Sequence, residues 1–296
     1  HSGIIMGDNS QIAWTNATWN FLLGCQMVSP GCSNCYAMQT VHRLSHNPNP
    51  KIAAANEGLT RISAGRAVWT GQHRVIPERM DIPRKWSRPR LIFVNSLSDV
   101  GLLDARGPEC AAFLQTMHDT PRHTYQVLSK RPGFLEDIIA TAHERHGTMP
   151  HVWWGVTVEH QEMANGRLNI LMDAPRGVHN GEPAVRWVSV EPMLGPVDLK
   201  PWLDAPPMKR LSWVVIGGES GGTARAFDLK WAADLIAQCK QFGVPVFMKQ
   251  LGARIIGRAM ERIDQAAFKS FDAFPEDLQV REWPKLHNPS IRPEFT

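Results

Sequence analysis

Three of the chain's five cysteines, Cys25, Cys32 and Cys35, lie close together in the pattern C-x6-C-x2-C. The segment that joins them, residues 25–35, is called the cysteine loop below, and its Ser, Pro, Gly and Asn residues favour turns. Three thiolates converging from one loop suit a soft metal ion or an iron–sulfur cluster. A disulfide is the alternative, but it would leave one thiol over, and nothing in the sequence indicates an oxidising compartment. We therefore expect a metal centre here, with these three cysteines as ligands.

Zinc is the main rival to an iron–sulfur cluster at the cysteine loop. A closed structural zinc site takes four ligands, and the nearest histidine is His42. If a helix begins at Cys35, His42 lies roughly 10 Å further along the helix axis, too far for both residues to hold one ion. Zinc would therefore need a fourth ligand from elsewhere in the chain. A four-iron cluster held by three cysteines instead keeps one coordination position open.

Length and composition limit the class of protein. A chain of 296 residues, 43% of them hydrophobic, can bury a sizeable core and fits one large α/β domain. The formal net charge of +4 is compatible with nucleic-acid binding but does not require it. No apolar run approaches the length of a membrane span and no secretory signal precedes the cysteines, so we expect a cytoplasmic protein with no membrane partner. Residues 1–5 resemble a cloning remnant ahead of a natural start at Met6.

Beyond residue 90, short β-branched or aromatic runs alternate with amphipathic helical stretches. This alternation is typical of a parallel sheet with helices packed on it. With a first strand at 11–15, it predicts an α/β fold, a partial or complete parallel (β/α) barrel of about six to seven units over residues 6–253. The other predicted strands are 91–95, 125–128, 152–158, 185–190, 211–216 and 244–248, and the predicted helices are 34–45, 108–118, 134–146, 161–172 and 229–242.

Two regions interrupt the alternation. Residues 46–90 are rich in Pro, Gly, Arg and Asn and have no clear period, so we expect an irregular insertion with one short helix. Residues 254–296 are expected to form one helix, at 259–271, and then a proline-rich tail. Within the insertion, residues 84–90 combine four basic side chains with Trp86. Such a cluster usually forms a solvated surface, and nucleic-acid contact is the second interpretation.

Polar or charged residues follow each of the six strands predicted after residue 90. In a parallel barrel, the carboxyl ends of the strands open onto one face, where active sites are built. Six such ends in succession, with the cysteine loop after the first strand, predict one shared site. The residues concerned are Asn95, Ser96, Ser98 and Asp99; Ser129, Lys130 and Arg131; Thr157 and Glu159; Ser189 and Glu191; Gly217, Gly218, Glu219 and Ser220; and Lys249 and Gln250.

Seven short phrases, spread over residues 12–252, carry a family likeness. They are WTNATWN at 14–20, VSPGCSNCY at 28–36, FVNSLSD at 93–99, VLSKRP at 127–132, SVEPMLGP at 189–196, GGESG at 217–221 and KQ at 249–250. Together they resemble the radical S-adenosylmethionine superfamily, and more closely a phage- and prophage-associated family with a three-cysteine motif and no settled function. Ser98-Asp99 and Ser129-Lys130 are also similar to the second- and third-strand motifs of spore photoproduct lyase-like enzymes.

The resemblance implies a role for each matching residue. Cys25, Cys32 and Cys35 would ligate three irons of a [4Fe-4S] cluster, and the fourth iron would take the amine and carboxylate of S-adenosyl-L-methionine. The two glycines after the sixth strand would let the backbone approach the cofactor closely. The resemblance places Ser98, Asp99, Ser129, Glu159, Gly217 and Gly218 around the cofactor, and Lys130, Glu191 and Glu219 among the catalytic groups.

The activity implied by the resemblance is reductive cleavage of S-adenosylmethionine to a 5'-deoxyadenosyl radical, which abstracts hydrogen from a substrate. A one-electron donor such as flavodoxin or ferredoxin would be its partner, and a nucleobase or nucleic acid is the suggested substrate. The sequence departs from the superfamily at two places: six residues, rather than three, separate the first two cysteines, and Asn34 occupies the usual aromatic position before Cys35. The Gly217-Gly218-Glu219 motif also lies near the sixth strand rather than the second.

A function of another class fits the same cysteines. In this second hypothesis the chain is a zinc- or iron–sulfur-stabilised, non-enzymatic module that binds nucleic acid or a partner protein. The mildly basic charge and the Arg- and Trp-containing insertion favour it. The polar strand ends argue against it, because a binding module does not need them.

Overall fold

The computed structural model describes residues 10–257, 270–291 and 293. Seven parallel strands form one curled sheet, a half-barrel in which neighbouring strands follow the order of the chain. This confirms the predicted α/β fold with a partial parallel barrel. The strands are β1 (Ala17–Trp19), β2 (Leu91–Val94), β3 (Thr124–Ser129), β4 (Val152–Thr157), β5 (Arg186–Val190), β6 (Trp213–Gly217) and β7 (Val246–Gln250).

Helices cover the outer face of the sheet. Several of them begin with proline in the first turn, where its missing N–H is no loss. The space between sheet and helices is filled by aliphatic residues together with Cys110 and Cys239, which are buried as the sequence indicated. The helices are α1 (Tyr36–Ser45), α2 (Pro50–Asn56), α3 (Ile82–Lys85), α4 (Pro108–His118), α5 (Pro132–His146), α6 (Gln161–Asp173), α7 (Lys200–Leu203) and α8 (Leu229–Gln241).

The concave face of the sheet carries a tryptophan cluster. Because side chains alternate across a strand, Trp187 and Ser189 of β5 face the barrel interior while Val188 and Val190 pack under the helices. A Cβ atom added to Gly155 of β4 would lie 2.5 Å from the Trp187 indole nitrogen, so the glycine provides the space for that ring. The rings fill one part of the interior, and a cavity remains at the carboxyl ends of the strands. The cluster consists of Trp14, Phe93, Trp153, Trp187, Trp213 and Phe247.

The prediction for the first strand was wrong. Residues 11–15 alternate like a strand but form turns, and the strand begins at Ala17. Trp14 is buried in the tryptophan cluster instead, and the Thr15 hydroxyl donates to the carbonyl of Leu91 at 3.0 Å. The alternation of polar and apolar residues at 11–15 therefore reflects the burial of single side chains in a turn, not a strand. The other six strands and the five predicted helices begin and end within two residues of their predicted bounds.

The insertion at 46–90 is more regular than expected. Besides α2 and α3 it contains a hairpin of Thr60–Ser63 and Arg66–Trp69, and its Arg74–Val75 pairs with Leu22–Leu23. The hairpin and α2 share a small apolar core with α1, whereas Ile82 of α3 packs on the main core. The helix predicted at 259–271 and the remnant predicted at 1–5 fall mainly or wholly outside the described residues. Within the described ranges, no helix has the length and apolarity needed to cross a membrane.

Candidate functional site

One cavity of about 190 Å³ lies at the carboxyl ends of the strands, and we call it the strand-end cavity. Apolar and aromatic side chains, among them Trp14, Phe93 and Leu128, line part of it, and polar side chains from the strand ends line it as well. Ten of the twelve predicted site residues line this one space, so the fold brings most of them together. They are Cys25, Cys32, Cys35, Ser98, Asp99, Ser129, Lys130, Glu191, Gly218 and Glu219; Glu159 and Gly217 lie behind the wall.

The three cysteines of the cysteine loop are free thiols, with Cys32 buried and the other two half-buried. Burial and the negative charge of Asp99 raise the pKa of Cys25 to about 12. Burial also raises the pKa of Cys35, and the positive charge of Lys130 opposes it. Cys35 is close enough to each of the other two for their charges to interact. In the described residues, no three His, Cys, Asp or Glu side chains are gathered closely enough to hold a metal ion as they stand.

Glu159 holds the cysteine loop from behind. Its carboxylate is completely buried and accepts a hydrogen bond from the Ser29 hydroxyl at 2.6 Å. It also forms an ion pair with Arg167 at 3.1 Å. Gly31 packs directly on this carboxylate, and a Cβ atom at Gly31 would overlap it. Glu159 was predicted to contact a cofactor; in the structure its carboxylate lies between Arg167 of α6 and Ser29 of the cysteine loop.

Glu219 holds the same loop from the side of β6. Arg225 pairs with it at 2.5 Å, and the Asn34 amide donates to it at 3.0 Å. Burial raises the pKa of Glu219, but the hydrogen bonds from Arg225 and Asn34 outweigh burial and leave that pKa below its ordinary value. Arg225 also donates to the carbonyl of Pro30 at 2.8 Å. The unusual Asn34 thus has a structural role, since it links the cysteine loop to β6.

Asp99 is the third buried carboxylate near the loop. It accepts hydrogen bonds from the Ser129 hydroxyl at 2.6 Å and from the backbone N–H groups of Gly101 and Lys130, both at 2.9 Å. Arg131 pairs with it at 3.0 Å and also donates to the carbonyl of Gln26 at 2.6 Å. A carboxylate has about four acceptor positions, so the protein itself satisfies Asp99. The Ser98 hydroxyl donates to the carbonyl of Gly24, next to the loop.

The far side of the cavity is formed by β5, β6 and β7. Lys249 pairs with Glu191 at 2.6 Å, and Gln250 donates to the same carboxylate at 3.1 Å. The two predicted glycines permit close packing: a Cβ atom on Gly217 would lie 3.2 Å from Glu191, and one on Gly218 would lie 2.5 Å from the carbonyl oxygen of Leu251. Both glycines therefore allow close packing of protein atoms, and Gly218 also lines the cavity.

Lys130 differs from the other charged groups that line the cavity. Asp99, Glu191, Glu219 and Lys249 are each paired with an opposite charge. The Lys130 ammonium group has neither an ion pair nor a hydrogen bond among the described residues, although its charge acts on Cys35. The cavity therefore offers an unpaired cation beside its thiols, and a carboxylate or phosphate group would be a suitable partner.

Sequence reasoning missed the arginines that hold the carboxylates. Arg167 lies in α6, eight residues after Glu159, and Arg225 lies six residues after Glu219. A signal for both existed, because each is the nearest Lys or Arg that follows its partner in the sequence. Tyr36 was also missed as a site residue; it lines the cavity, and its hydroxyl donates to the carbonyl of Ser96 at 2.9 Å.

The geometry defines a class of protein: a parallel half-barrel with a cavity at the carboxyl ends of its strands, lined by three free cysteines that an early loop supplies. Within this class, the chain belongs to the family described as protein of unknown function (DUF5131), whose profile matches residues 9–275. No curated protein and no solved structure matches the chain.

Proposed function

We propose that this protein is a radical S-adenosylmethionine enzyme with an iron–sulfur cluster at the cysteine loop. The observation that carries the proposal is that three free thiols from one loop line the same cavity as the polar strand ends of a parallel half-barrel. The donor set fits the group: three thiolates are the protein ligands of a cluster with one open coordination position. Cys25, Cys32 and Cys35 would hold it.

When bound, cluster and S-adenosylmethionine would supply one-electron cleavage of the sulfonium and hydrogen abstraction from a substrate. The chain itself positions these groups. Lys130 offers the cation that a carboxylate of the cofactor requires, and the Glu191–Lys249 pair lies across the cavity, where hydroxyl groups could be bound. The apolar wall of Trp14, Phe93 and Leu128 excludes water from the space beside them.

Metal binding to the cysteines requires their deprotonation, which burial opposes and nearby cations favour. Thiols must lose their protons to bind metal, and burial raises the pKa of Cys25 and Cys35. Lys130 opposes this effect at Cys35, and Arg131 opposes it at Cys25, with its guanidinium nitrogen 3.9 Å from the sulfur. These two cations therefore partly offset the rise in thiol pKa that burial causes at the proposed ligands.

Anaerobic reconstitution tests the proposal. The chain is loaded with iron and sulfide, analysed for both elements and by electron paramagnetic resonance, then mixed with dithionite and S-adenosylmethionine. We expect about four irons per chain and the appearance of 5'-deoxyadenosine. Cys25→Ser should abolish both results, whereas Cys110→Ala, which alters a buried cysteine under the helices, should preserve them.

Two outcomes contradict the proposal. A fully loaded, reducible cluster that never cleaves S-adenosylmethionine would exclude the proposed activity. One tightly held zinc per chain, with no iron or sulfide after strictly anaerobic purification, would favour the non-enzymatic module instead. If the activity is found, reduced flavodoxin or ferredoxin should replace dithionite as the electron donor.

A further inference from the structure

One segment of the chain carries a net positive charge equal to that of the whole protein. Residues 36–76, called the basic segment below, contain five Lys or Arg residues and one acidic residue, Glu57, which gives a net charge of +4. The whole chain has 32 basic and 28 acidic residues, so the remaining residues contain 27 of each and are neutral. The five basic residues are Arg43, Lys51, Arg61, Arg66 and Arg74.

These five side chains are exposed, and no carboxylate neutralises them. All five belong to the exposed class, and none takes part in an ion pair among the described residues. Elsewhere some exposed basic residues are neutralised, since Arg84, Arg106, Lys209 and Lys230 each pair with a carboxylate at the surface. Unpaired cations concentrated on one part of the surface produce a local positive potential.

The basic segment adjoins the strand-end cavity. Its helix α1 follows Cys35 directly, and its hairpin packs on α1 through the small core that includes Leu59 and Trp69. Trp69 and Tyr36 line the cavity themselves. On the other side, Gly24 packs so closely on the carbonyl of Gln72 that a Cβ atom would overlap it. The positive surface and the opening of the cavity are therefore neighbours.

We propose that the basic segment binds the phosphate backbone of a single-stranded nucleic acid and directs one nucleotide into the strand-end cavity. The cavity wall supports this choice, because the mostly buried aromatic side chains of Trp14 and Phe93 line it, and Tyr36, which also lines it, is 47% exposed. The unpaired Lys130 adds a cation inside. This inference deepens the proposed function, on which it rests for the chemistry performed on the nucleotide.

A membrane surface and an acidic protein fit less well. Membrane binding would require an exposed apolar helix face, but the apolar residues of α1 are buried against the hairpin. An acidic protein partner would account for the positive charge but leaves the adjoining aromatic cavity unexplained. A single-stranded nucleic acid accounts for both the positive surface and the aromatic cavity, because each nucleotide carries a phosphate and an aromatic base.

The test is fluorescence anisotropy of a labelled 20-nucleotide single-stranded DNA, and of the RNA of the same sequence, with the full-length protein over a series of salt concentrations. The variant Lys51→Gln/Arg61→Gln/Arg66→Gln removes three charges from the basic segment. Its matched control, Arg145→Gln/Lys200→Gln/Lys240→Gln, removes three exposed charges that have no ion pair among the described residues from the helical side. All six side chains are exposed, so both variants should fold, and circular dichroism checks this.

We expect the basic-segment variant to bind at least about tenfold more weakly at low salt, and its slope of log affinity against log salt to fall by about 2, because each lost phosphate contact on a single strand accounts for about 0.7. The control should keep the affinity of the wild type within about twofold. No binding of either oligonucleotide at low salt, or equal losses in both variants, would overturn the inference. Competition by polyglutamate or by phosphatidylserine vesicles equal to that by unlabelled oligonucleotide would also overturn it.

This experiment is independent of the cluster. Oligonucleotide binding is measured without S-adenosylmethionine, whereas the proposed function is decided by iron, sulfide and 5'-deoxyadenosine. Binding without cofactor cleavage would sustain the nucleic-acid surface and refute the radical enzyme. Cleavage of S-adenosylmethionine without oligonucleotide binding would support the radical enzyme and refute the nucleic-acid surface.

Discussion

At the scale of single residues, three carboxylates determine the position of the cysteine loop. Asp99, Glu159 and Glu219 are each buried, and each is held by an arginine. Directly or through that arginine, they bind the loop at Gln26, at Ser29, and at Pro30 and Asn34. The conformation of the loop is therefore imposed by strand ends that are distant in the sequence.

Gly31→Ala should disturb the cysteine loop without unfolding the barrel. The added Cβ atom would overlap the Glu159 carboxylate, which cannot move easily because Ser29 and Arg167 hold it in a buried position. We expect the iron content after reconstitution to fall at least about fivefold, at a stability cost of about 1–3 kcal/mol from overpacking. Gly166→Ala is the control, because nothing lies within 4 Å of its Cβ position on α6. Equal iron content in both variants would show that the contact does not control the loop.

Glu159→Gln should destabilise the protein more than it alters the shape of the site. The substitution leaves the Arg167 guanidinium, whose side chain is 6% exposed, without its counter-ion. Removing one partner of a buried ion pair costs about 3–5 kcal/mol, whereas replacing both partners costs much less. The double variant Glu159→Gln/Arg167→Met should recover at least half of the lost free energy of unfolding, measured in urea. A single variant as stable as the exposed control Glu57→Gln would contradict this account.

The positions of the site residues could be predicted from the sequence, but their partners could not. The cysteine spacing and the polar strand ends located ten residues on one cavity. Strand periodicity does not show whether a polar side chain at a strand end points into the cavity or back toward a loop. Glu159 and Asp99 bind protein donors, because the fold brings Arg167 next to Glu159 and Arg131 next to Asp99. Whether the cysteines ligate iron stays a prediction.

For the strands and helices, the order could be predicted because local residue preferences and hydrophobic period indicate the same element in each unit. β-branched and aromatic runs are long enough to show their period, and prolines mark the starts of α4 and α5. The prediction of the first strand was wrong because the strand has only three residues, Ala17–Trp19. The preceding turn shows the same alternation of polar and apolar residues as a strand. The hairpin of the insertion was missed because its first strand buries no residue and its second strand, with Ala67 and Trp69 buried, is only four residues long. Its turn relies on Ala64 and Gly65, both with positive φ.

His151, just before β4, makes the junction between β4 and α4 sensitive to acid. Burial lowers the pKa of this imidazole to about 4, although its hydrogen bond to the Met117 carbonyl opposes the effect. A pKa lower in the folded than in the unfolded state means that the unfolded chain binds the proton preferentially. The contribution of His151 to stability is therefore complete above about pH 6.5 and is lost as the pH falls toward 4.

We expect His151→Gln, which keeps an N–H donor but cannot be protonated, to reduce this dependence. Between pH 7 and pH 5 the wild type should lose about 2 kcal/mol more free energy of unfolding than the variant, since each pH step below the unfolded pKa costs about 1.4 kcal/mol. Urea unfolding at the two pH values measures the difference. His73→Gln, at an exposed position, should lose as much as the wild type. The same loss in all three proteins would show that His151 is not responsible.

At the scale of the whole molecule, a seven-stranded half-barrel leaves two edges open, and the C-terminal segment 270–291 covers one of them. Val280 and Glu282 bond to the backbone of β7, and the chain then crosses toward the residues before β1. The Trp213 indole donates to the carbonyl of Glu282 at 2.8 Å, and Ile291 joins the tryptophan cluster. An uncovered strand edge would expose unpaired backbone groups and invite aggregation.

Trp283 is the residue through which this segment joins both sides of the half-barrel. Its ring lies 4.9 Å from that of Phe247 on β7, and its indole N–H donates to the carbonyl of Trp14 at 3.4 Å, before β1. Trp283→Ala should therefore lower the free energy of unfolding by about 2–4 kcal/mol, while Trp283→Phe, which keeps the aromatic contact, should lose less than half as much. Because the segment contributes nothing to the wall of the strand-end cavity, iron loading should be unchanged in both variants under stabilising conditions. Urea unfolding and iron analysis on the same samples decide the matter: an alanine variant as stable as the wild type would mean that the half-barrel holds its shape without this closure.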